Sequence, residues 1–222
     1  MESKVIRTVI INRAVPGSGK TTITNCIVNE LKEKNINVAI HSTDEYFMVG
    51  NKYMFDIDKL NSYHQKNLLE FKKSIDDDID VIICDNTNIA PWQTEVYTQL
   101  AREYQYQILI ITLNPRELEK HIESQKVTKE KPDAHGVEEN ILKTMMQEYE
   151  VYDDLLNPNI LINETKHFHY VWNEENNKKV SIGLAKHFDS DMVIRILPDE
   201  YRAVQERIGE TILTIIKGDK SK

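Results

Sequence analysis

The chain has 222 residues, which fits one α/β domain with an appended subdomain and buries a full core without disulfides or metals. A net charge of −8 excludes a long nucleic-acid groove, because a protein that tracks a duplex backbone needs a basic stripe to neutralise several phosphates. The two cysteines, Cys26 and Cys84, read as small core residues in a reducing cytoplasm. The apolar run Val5–Ile11, interrupted by Arg7 and Thr8, is too short to span a membrane, and Met1–Arg13 does not read as a signal peptide.

Val5–Ile11 is β-branched and predicts a buried strand, and Thr21–Lys34 predicts a helix. Between them lies Ala14-Val15-Pro16-Gly17-Ser18-Gly19-Lys20-Thr21. Its spacing is that of a phosphate-binding loop, G-x-x-x-x-G-K-[ST], with Ala14 in place of the first glycine. Such a loop, from Pro16 through Thr22, wraps phosphates, and its backbone N–H groups, from Gly17 onward, converge on them beside the positive end of a helix. Lys20 then reaches the outer phosphates of ATP, and the Thr21 hydroxyl ligates Mg²⁺. If position 14 needs a positive φ, alanine there costs on the order of 1 kcal/mol; in an ordinary conformation it costs nothing.

Asn37–His41 is a second short strand, ending at Ser42-Thr43-Asp44-Glu45. Ile57, Leu60, His64, Leu68, Phe71 and Ile75 recur at helical steps, and the acidic run Asp76–Asp78 with Asp80 reads as a solvated turn. Asp80–Asp85 is a third strand. Pro91 opens a helix whose Trp92, Val96, Leu100 and Tyr104 make a stripe, and Ile108–Leu113 is a fourth strand. Asn114-Pro115-Arg116-Glu117 supplies an N-cap, a helix-starting proline and a capping-box glutamate. A polar stretch from Ser124 to Gly136 precedes a long helix with Val137, Ile141, Met145, Tyr149, Tyr152 and Leu156 on one face, which Asn157-Pro158-Asn159 breaks. A hairpin (Phe168–Trp172 with Val180–Leu184), a strand (Met192–Leu197) and a helix from Tyr201 to Ile215 complete the chain. The alternation predicts an open parallel sheet with helices on both faces over residues 1–157 and an α+β extension over 158–222, packed on or beside it.

In an open α/β sheet ligands sit outside the carboxyl ends of the strands, and three polar clusters fall there: the phosphate loop, Ser42–Phe47 and Asp85-Asn86-Thr87-Asn88. Asp85 ends an apolar strand, where an acidic residue commonly holds the Mg²⁺ shell of P-loop enzymes. Asp44 is the candidate general base for a hydroxyl acceptor, with Glu45 competing for the role.

Pro16–Thr21, Thr43-Asp44-Glu45-Tyr46 and Asp85–Asn88 together resemble the kinase domain of polynucleotide 5′-hydroxyl kinases and related small P-loop kinases, with the zeta-toxin group of sugar-nucleotide kinases a more distant cousin. The resemblance covers residues 4–155. It implies that Lys20 and Thr21 bind ATP phosphates and Mg²⁺, that Asp44 is the base and that Asp85 lies beside the acceptor. Two departures stand out. Phe47 occupies the position where those kinases hold the acceptor's phosphate with arginine. The lid stretch Lys120–His135 carries no arginine, only Lys120, Lys126, Lys129, Lys131 and His135, and lysine lacks the bidentate fork. Lys126 and Lys129 are the expected lid contacts to ATP.

The reading is an ATP- and Mg²⁺-dependent kinase whose acceptor is a nucleic-acid end, a nucleoside or a small molecule. Its alternative is a nucleotide-gated binding module without kinase activity, to which Ala14, Phe47 and the lid point.

Overall fold

The computed structural model describes residues 5–131, 134–156, 167–173, 178–187 and 191–218. In chain order the elements are β1 (Thr8–Ala14), α1 (Lys20–Glu33), β2 (Val38–His41), a 3-10 turn (Thr43–Phe47), β3 (Met48–Val49), β4 (Lys52–Tyr53), α2 (Ile57–Asp76), β5 (Val81–Cys84), α3 (Pro91–Glu103), β6 (Gln107–Leu113), α4 (Leu118–Gln125), α5 (Glu139–Leu156), β7 (His167–Asn173), β8 (Lys178–His187), β9 (Asp191–Ile196) and α6 (Tyr201–Lys217). The expected helix breaker Asn157-Pro158-Asn159 and the hairpin loop 174–177 lie outside the described residues.

The main sheet runs β2-β5-β1-β6-β9-β8-β7. Its strands are parallel from β2 to β9, and β8 and β7 add an antiparallel edge. From β1 the chain crosses to β2 on one side and later to β6 on the other. That reversal beside β1 is the switch point where such sheets bind ligands.

Side chains alternate across the pleat, so β1 serves two cores at once. Ile10 joins Ile83, Leu109, Ile111 and Ile194 under α1 and α6, which contribute Ile27, Leu31, Ile208 and Ile212. Val9 and Ile11 join Ile82, Ile108 and Ile110 under Phe71 of α2 and Tyr97 of α3. Helices therefore cover both faces, as the alternating pattern requires. The sheet does not end with residue 157: β9 is its fifth parallel strand, and α6 packs against α1.

Three local expectations need correction. The first strand is shifted towards the phosphate loop and ends at Ala14 rather than Ile11. The stripe read from α3 turns inward only in its second half, where Leu100 and Tyr104 pack against the core. Trp92 and Val96 are exposed, and the buried face is Thr94, Tyr97, Thr98 and Ala101, because short residues and one tyrosine fit closer to the sheet. Asn114 does not cap α4, which begins at Leu118. Its Oδ1 instead accepts from Tyr149 Oη at 3.2 Å and Arg195 Nη1 at 3.0 Å, tying β6 to α5 and β9.

Arg13, fully buried at the end of β1, fastens α5 to the sheet. Its Nε donates to Ile89 O at 3.1 Å and its Nη2 to Tyr149 O at 2.8 Å. The guanidinium lies 3.7 Å from the centre of the Tyr149 ring, where the π face attracts a cation.

Candidate functional site

The phosphate loop leaves β1 at Ala14, which is an ordinary strand residue. Ala14 pairs with Leu113 of β6, is fully buried, and its N–H donates to Thr87 O at 2.9 Å. The left-handed turns belong to Gly17 (φ 81°) and Gly19 (φ 90°), where a side chain would be strained. So the alanine in place of the motif's first glycine costs nothing.

The loop is braced from behind. Tyr201, at the start of α6, donates to Gly19 O at 2.8 Å, and a Cβ on Gly19 would overlap its hydroxyl. Pro16 O accepts from His121 Nδ1 at 2.8 Å. Because His121 Nε2 accepts the Arg116 backbone N–H at 2.9 Å, the ring is neutral with its proton on Nδ1. Burial, with the Arg116 charge, holds this imidazole below its ordinary value despite the bond to Pro16. The Arg116 guanidinium donates to Gly17 O through Nη2, and Ser124 Oγ donates to the same carbonyl at 3.3 Å. Three buried polar atoms around Gly17 have no partner among the described residues: Ser18 Oγ, Arg116 Nε and Gln125 Oε1. Two of them are donors, which suits an anion.

Lys20, at the first position of α1, lies against the end of β5. Its Nζ donates to Asp85 O at 2.7 Å and is 3.0 Å from Asp85 Oδ1, with both side chains largely buried. Asp85 Oδ1 also accepts from Asn12 Nδ2 at 2.7 Å and Thr24 Oγ1 at 3.1 Å. Thr21 and Thr22 are exposed on the first turn of α1. The residues after Asp85 lace the strand ends together. Asn86 Oδ1 accepts the Thr43 N–H at 2.8 Å, Thr87 O serves Ala14, and Asn88 (φ 48°) donates to Asn12 O at 2.7 Å.

Thr43 and Asp44 open the 3-10 turn after β2. Asp44 Oδ1 accepts the Tyr53 hydroxyl at 3.0 Å, and Oδ2 lies 3.7 Å from His135 Nδ1. Its neighbour Glu45 responds to other surroundings: burial first, then the Asp85 charge, hold its carboxyl above the ordinary range. Phe47 is buried in an aromatic cluster with Tyr53, Phe55 and Tyr63, at centroid distances of 5.8, 5.2 and 4.8 Å. The position that is arginine in polynucleotide kinases is a packing residue here, supporting the β3–β4 hairpin.

The structure thus brings Lys20 and Asp85 together at the carboxyl ends of β1 and β5, with Thr21 exposed beside Lys20 on the first turn of α1 and Asp44 one strand further on. Lys126 and Lys129 are exposed, and Lys126 Nζ sits on Glu123 at 2.6 Å. The cation that touches the loop is Arg116, outside the stretch read as a lid. The sequence hid it inside an apparent helix cap. His121 was a second miss, detectable only as a histidine on the buried face of α4.

Mg²⁺ takes oxygen ligands and needs few from protein when phosphates supply the rest, and Thr21 with Asp85 are the oxygen donors at this edge. No cluster of three His, Cys, Asp or Glu residues suited to a metal occurs among the described residues. Cys26 and Cys84 are both free, and burial pushes the Cys84 thiol up to about 11. Among the described residues no helix is long and apolar enough to cross a membrane.

Comparison with known proteins decides the family. Residues 8–179 match the profile described as chromatin associated protein KTI12. The chain belongs to the KTI12 family. It also aligns over 147 residues with human NEDD4-binding protein 2, at 29% identity, covering 64% of this chain and 8% of that much longer protein. The crystal structure of Chaetomium thermophilum Kti12 in complex with ADP-AlF3 superposes with a TM-score of 0.55 at 13% identity, covering 95% of this chain and 100% of that one. At that identity the likeness is one of fold, and this KTI12-family chain has the P-loop kinase-like fold. The resemblance to small P-loop kinases holds at the level of fold; the family itself is KTI12, not the polynucleotide kinases.

Proposed function

We propose that this KTI12-family protein is an ATP- and Mg²⁺-dependent phosphotransferase that moves the γ-phosphate to a hydroxyl acceptor. The observation that carries the reading is the meeting of Lys20 and Asp85 at the switch point of the sheet, with Thr21 next to Lys20 on α1 and a carboxylate, Asp44, at the end of the adjoining strand. The ADP-AlF3 held by the Chaetomium thermophilum protein supports a nucleotide as the ligand of the loop.

Pro16 through Thr22 cradle the phosphates with their backbone, and Lys20 exchanges Asp85 for the outer phosphate oxygens. Thr21 and Asp85 would hold Mg²⁺, which would supply positive charge against those oxygens. Asp44 takes the proton of the acceptor hydroxyl as the hydroxyl oxygen bonds to the γ-phosphorus. The bond from phosphorus to the bridging oxygen breaks, and its electron pair leaves with ADP. Arg116, with Lys126 and Lys129 nearby in the chain, screens the charge that develops. Such chemistry is positioning and electrostatics, so few reactive groups are needed. Residues 1–157 carry these groups, and Tyr201 of α6, in the extension over 158–222, braces the phosphate loop.

The acceptor is a nucleic-acid end, a nucleoside or a small molecule. Phe47, held in its aromatic cluster, removes the arginine contact by which polynucleotide kinases grip a phosphate there. A second reading, a nucleotide-gated binding module, is favoured by the seat of Lys20 on Asp85 and by a family description that names chromatin association and no reaction. Labelled ATP with a panel of hydroxyl acceptors, compared with hydrolysis alone, separates the two. Asp44→Asn should keep ATP affinity and lose about 10²-fold or more in transfer, the range for a positioned base. If Glu45→Gln is the inactive variant instead, Asp44 is not the base. If neither change affects ATP consumption, the binding-module reading replaces transfer.

A further inference from the structure

We propose that Tyr53 and His135 are the positioning residues of Asp44, a proposal that rests on the transfer reading above. Residues from stretches far apart in sequence meet the two oxygens of the carboxylate. Tyr53, on β4, donates to Oδ1 at 3.0 Å, and His135, in the segment before α5, brings Nδ1 to 3.7 Å from Oδ2. The two rings also hold one another: their centroids are 4.1 Å apart and their planes 17° apart, a face-to-face stack.

This arrangement has a chemical use. A carboxylate tethered only through its backbone turns freely about its last bond, and a base must present one lone pair to one proton. With Oδ1 fixed by the Tyr53 hydroxyl, Oδ2, which His135 Nδ1 approaches only to 3.7 Å and does not hydrogen-bond, is the oxygen left to meet an acceptor. Burial, together with the Asp44 charge, keeps the Tyr53 hydroxyl protonated far above its ordinary range, so it remains a donor throughout turnover. Phe47 packs against the same tyrosine ring at 5.8 Å and limits its motion from the protein side, while His135 covers it from the other. The His135 segment is also anchored at the donor side. The Gly136 N–H donates to Gln125 O at 3.1 Å, and the Gln125 side chain lies against Gly17 of the phosphate loop. A chain of direct contacts therefore joins the loop that takes ATP to the carboxylate that takes the proton.

The experiment measures turnover of labelled ATP with Mg²⁺ and water as the acceptor in the full-length protein. Tyr53→Phe and His135→Ala should each lower kcat by about 10-fold or more, with KM for ATP changed by less than about twofold. His135→Phe, which keeps a ring on Tyr53, should recover most of the rate. The pair acts as a unit, so Tyr53→Phe combined with His135→Ala should fall little below the worse single variant. Unchanged kcat in these variants while Asp44→Asn is inactive overturns the positioning role and leaves Asp44 as base. Unchanged turnover in Asp44→Asn removes Asp44 as the base and overturns this proposal; turnover that also survives Glu45→Gln, or none in the wild-type protein with water or any hydroxyl acceptor of the panel, overturns the transfer reading as well. A measurement independent of turnover decides the stack: in ¹³C-labelled histidine NMR spectra, Tyr53→Leu must shift the His135 ring signals by removing the tyrosine ring current. Unmoved signals overturn the proposal.

Discussion

Removing the lysine of a phosphate loop is ordinarily read as a test of nucleotide binding, but in this fold it also strands a buried charge. The Asp85 side chain is 7% exposed and that of Lys20 12%, with 3.0 Å between Nζ and Oδ1. Deleting one member of a buried pair costs about 3–5 kcal/mol when the other charge is left without compensation. Here Asn12 and Thr24 still donate to Oδ1 after Lys20→Met, so the cost falls below that range, about 2–3 kcal/mol. For a chain of this length that is a fall in Tm of roughly 5–10 °C. Asp85→Asn leaves the ammonium on the Asp85 carbonyl, 2.7 Å away, and should cost less, about 1–2 kcal/mol. The double variant, with neither charge, should lie above the sum of the singles by about 1–2 kcal/mol. Urea unfolding of the four proteins gives the stabilities, and calorimetric titration with ATP gives the binding. Additivity within about 0.5 kcal/mol would refute the ion pair as an energetic unit. Undiminished ATP affinity in Lys20→Met would refute the phosphate-loop assignment itself.

Ala14→Gly should lower stability by about 1 kcal/mol through chain entropy in a strand and leave ATP affinity unchanged, as read by urea unfolding and calorimetry; a large gain in affinity would contradict the strand geometry of Ala14. Phe47→Arg, which installs the polynucleotide-kinase residue, should destabilise by about 3 kcal/mol or more, because it removes a buried ring and inserts a charge among Tyr53, Phe55 and Tyr63. A folded variant of wild-type stability would show that the cluster can open to an acceptor phosphate. Burial holds His121 below its ordinary value of 6.5, so as pH falls the unfolded chain takes its proton first and the fold loses stability below about pH 6.5, with His41 and His64 acting in the same direction. Unfolding midpoints between about pH 7.5 and 5.5 should therefore fall, and fall less in His121→Gln; an identical pH dependence in that variant would remove His121 from the account.

The parallel strands were legible because each is a short β-branched run with a turn signal at its carboxyl end, and the phosphate loop because its spacing is fixed by backbone geometry. The order of the strands was less so. Nothing in Met192–Leu197 says that it pairs with β6, so β9 and α6 read as an extension although their side chains share a core with β1. The stripe on α3 misled because helical periodicity does not say which of two polar-apolar faces turns inward. There Thr94 and Thr98 are buried while Trp92 is exposed. Arg13 and Arg116 were invisible for a common reason. An arginine's role is set by the carbonyls within reach of its fork, and those of Ile89, Tyr149 and Gly17 come from distant parts of the chain. Asp44 was found by its place after a strand, whereas Tyr53 and His135 come together only through the turn that follows and a segment 82 residues further along.

The hydrogen bond from Tyr201 to Gly19 has a consequence for how the protein folds. The phosphate loop and its brace are separated by 182 residues of chain. Until α6 docks, the faces of Ile27 and Leu31 on α1 and the outer edge of β6 are uncovered, and Gly19 keeps the freedom of an unfolded glycine. Contacts between segments so far apart in sequence close late and slow the final step of folding. Bracing of the phosphate loop therefore waits on the docking of α6, which seats Tyr201 behind Gly19.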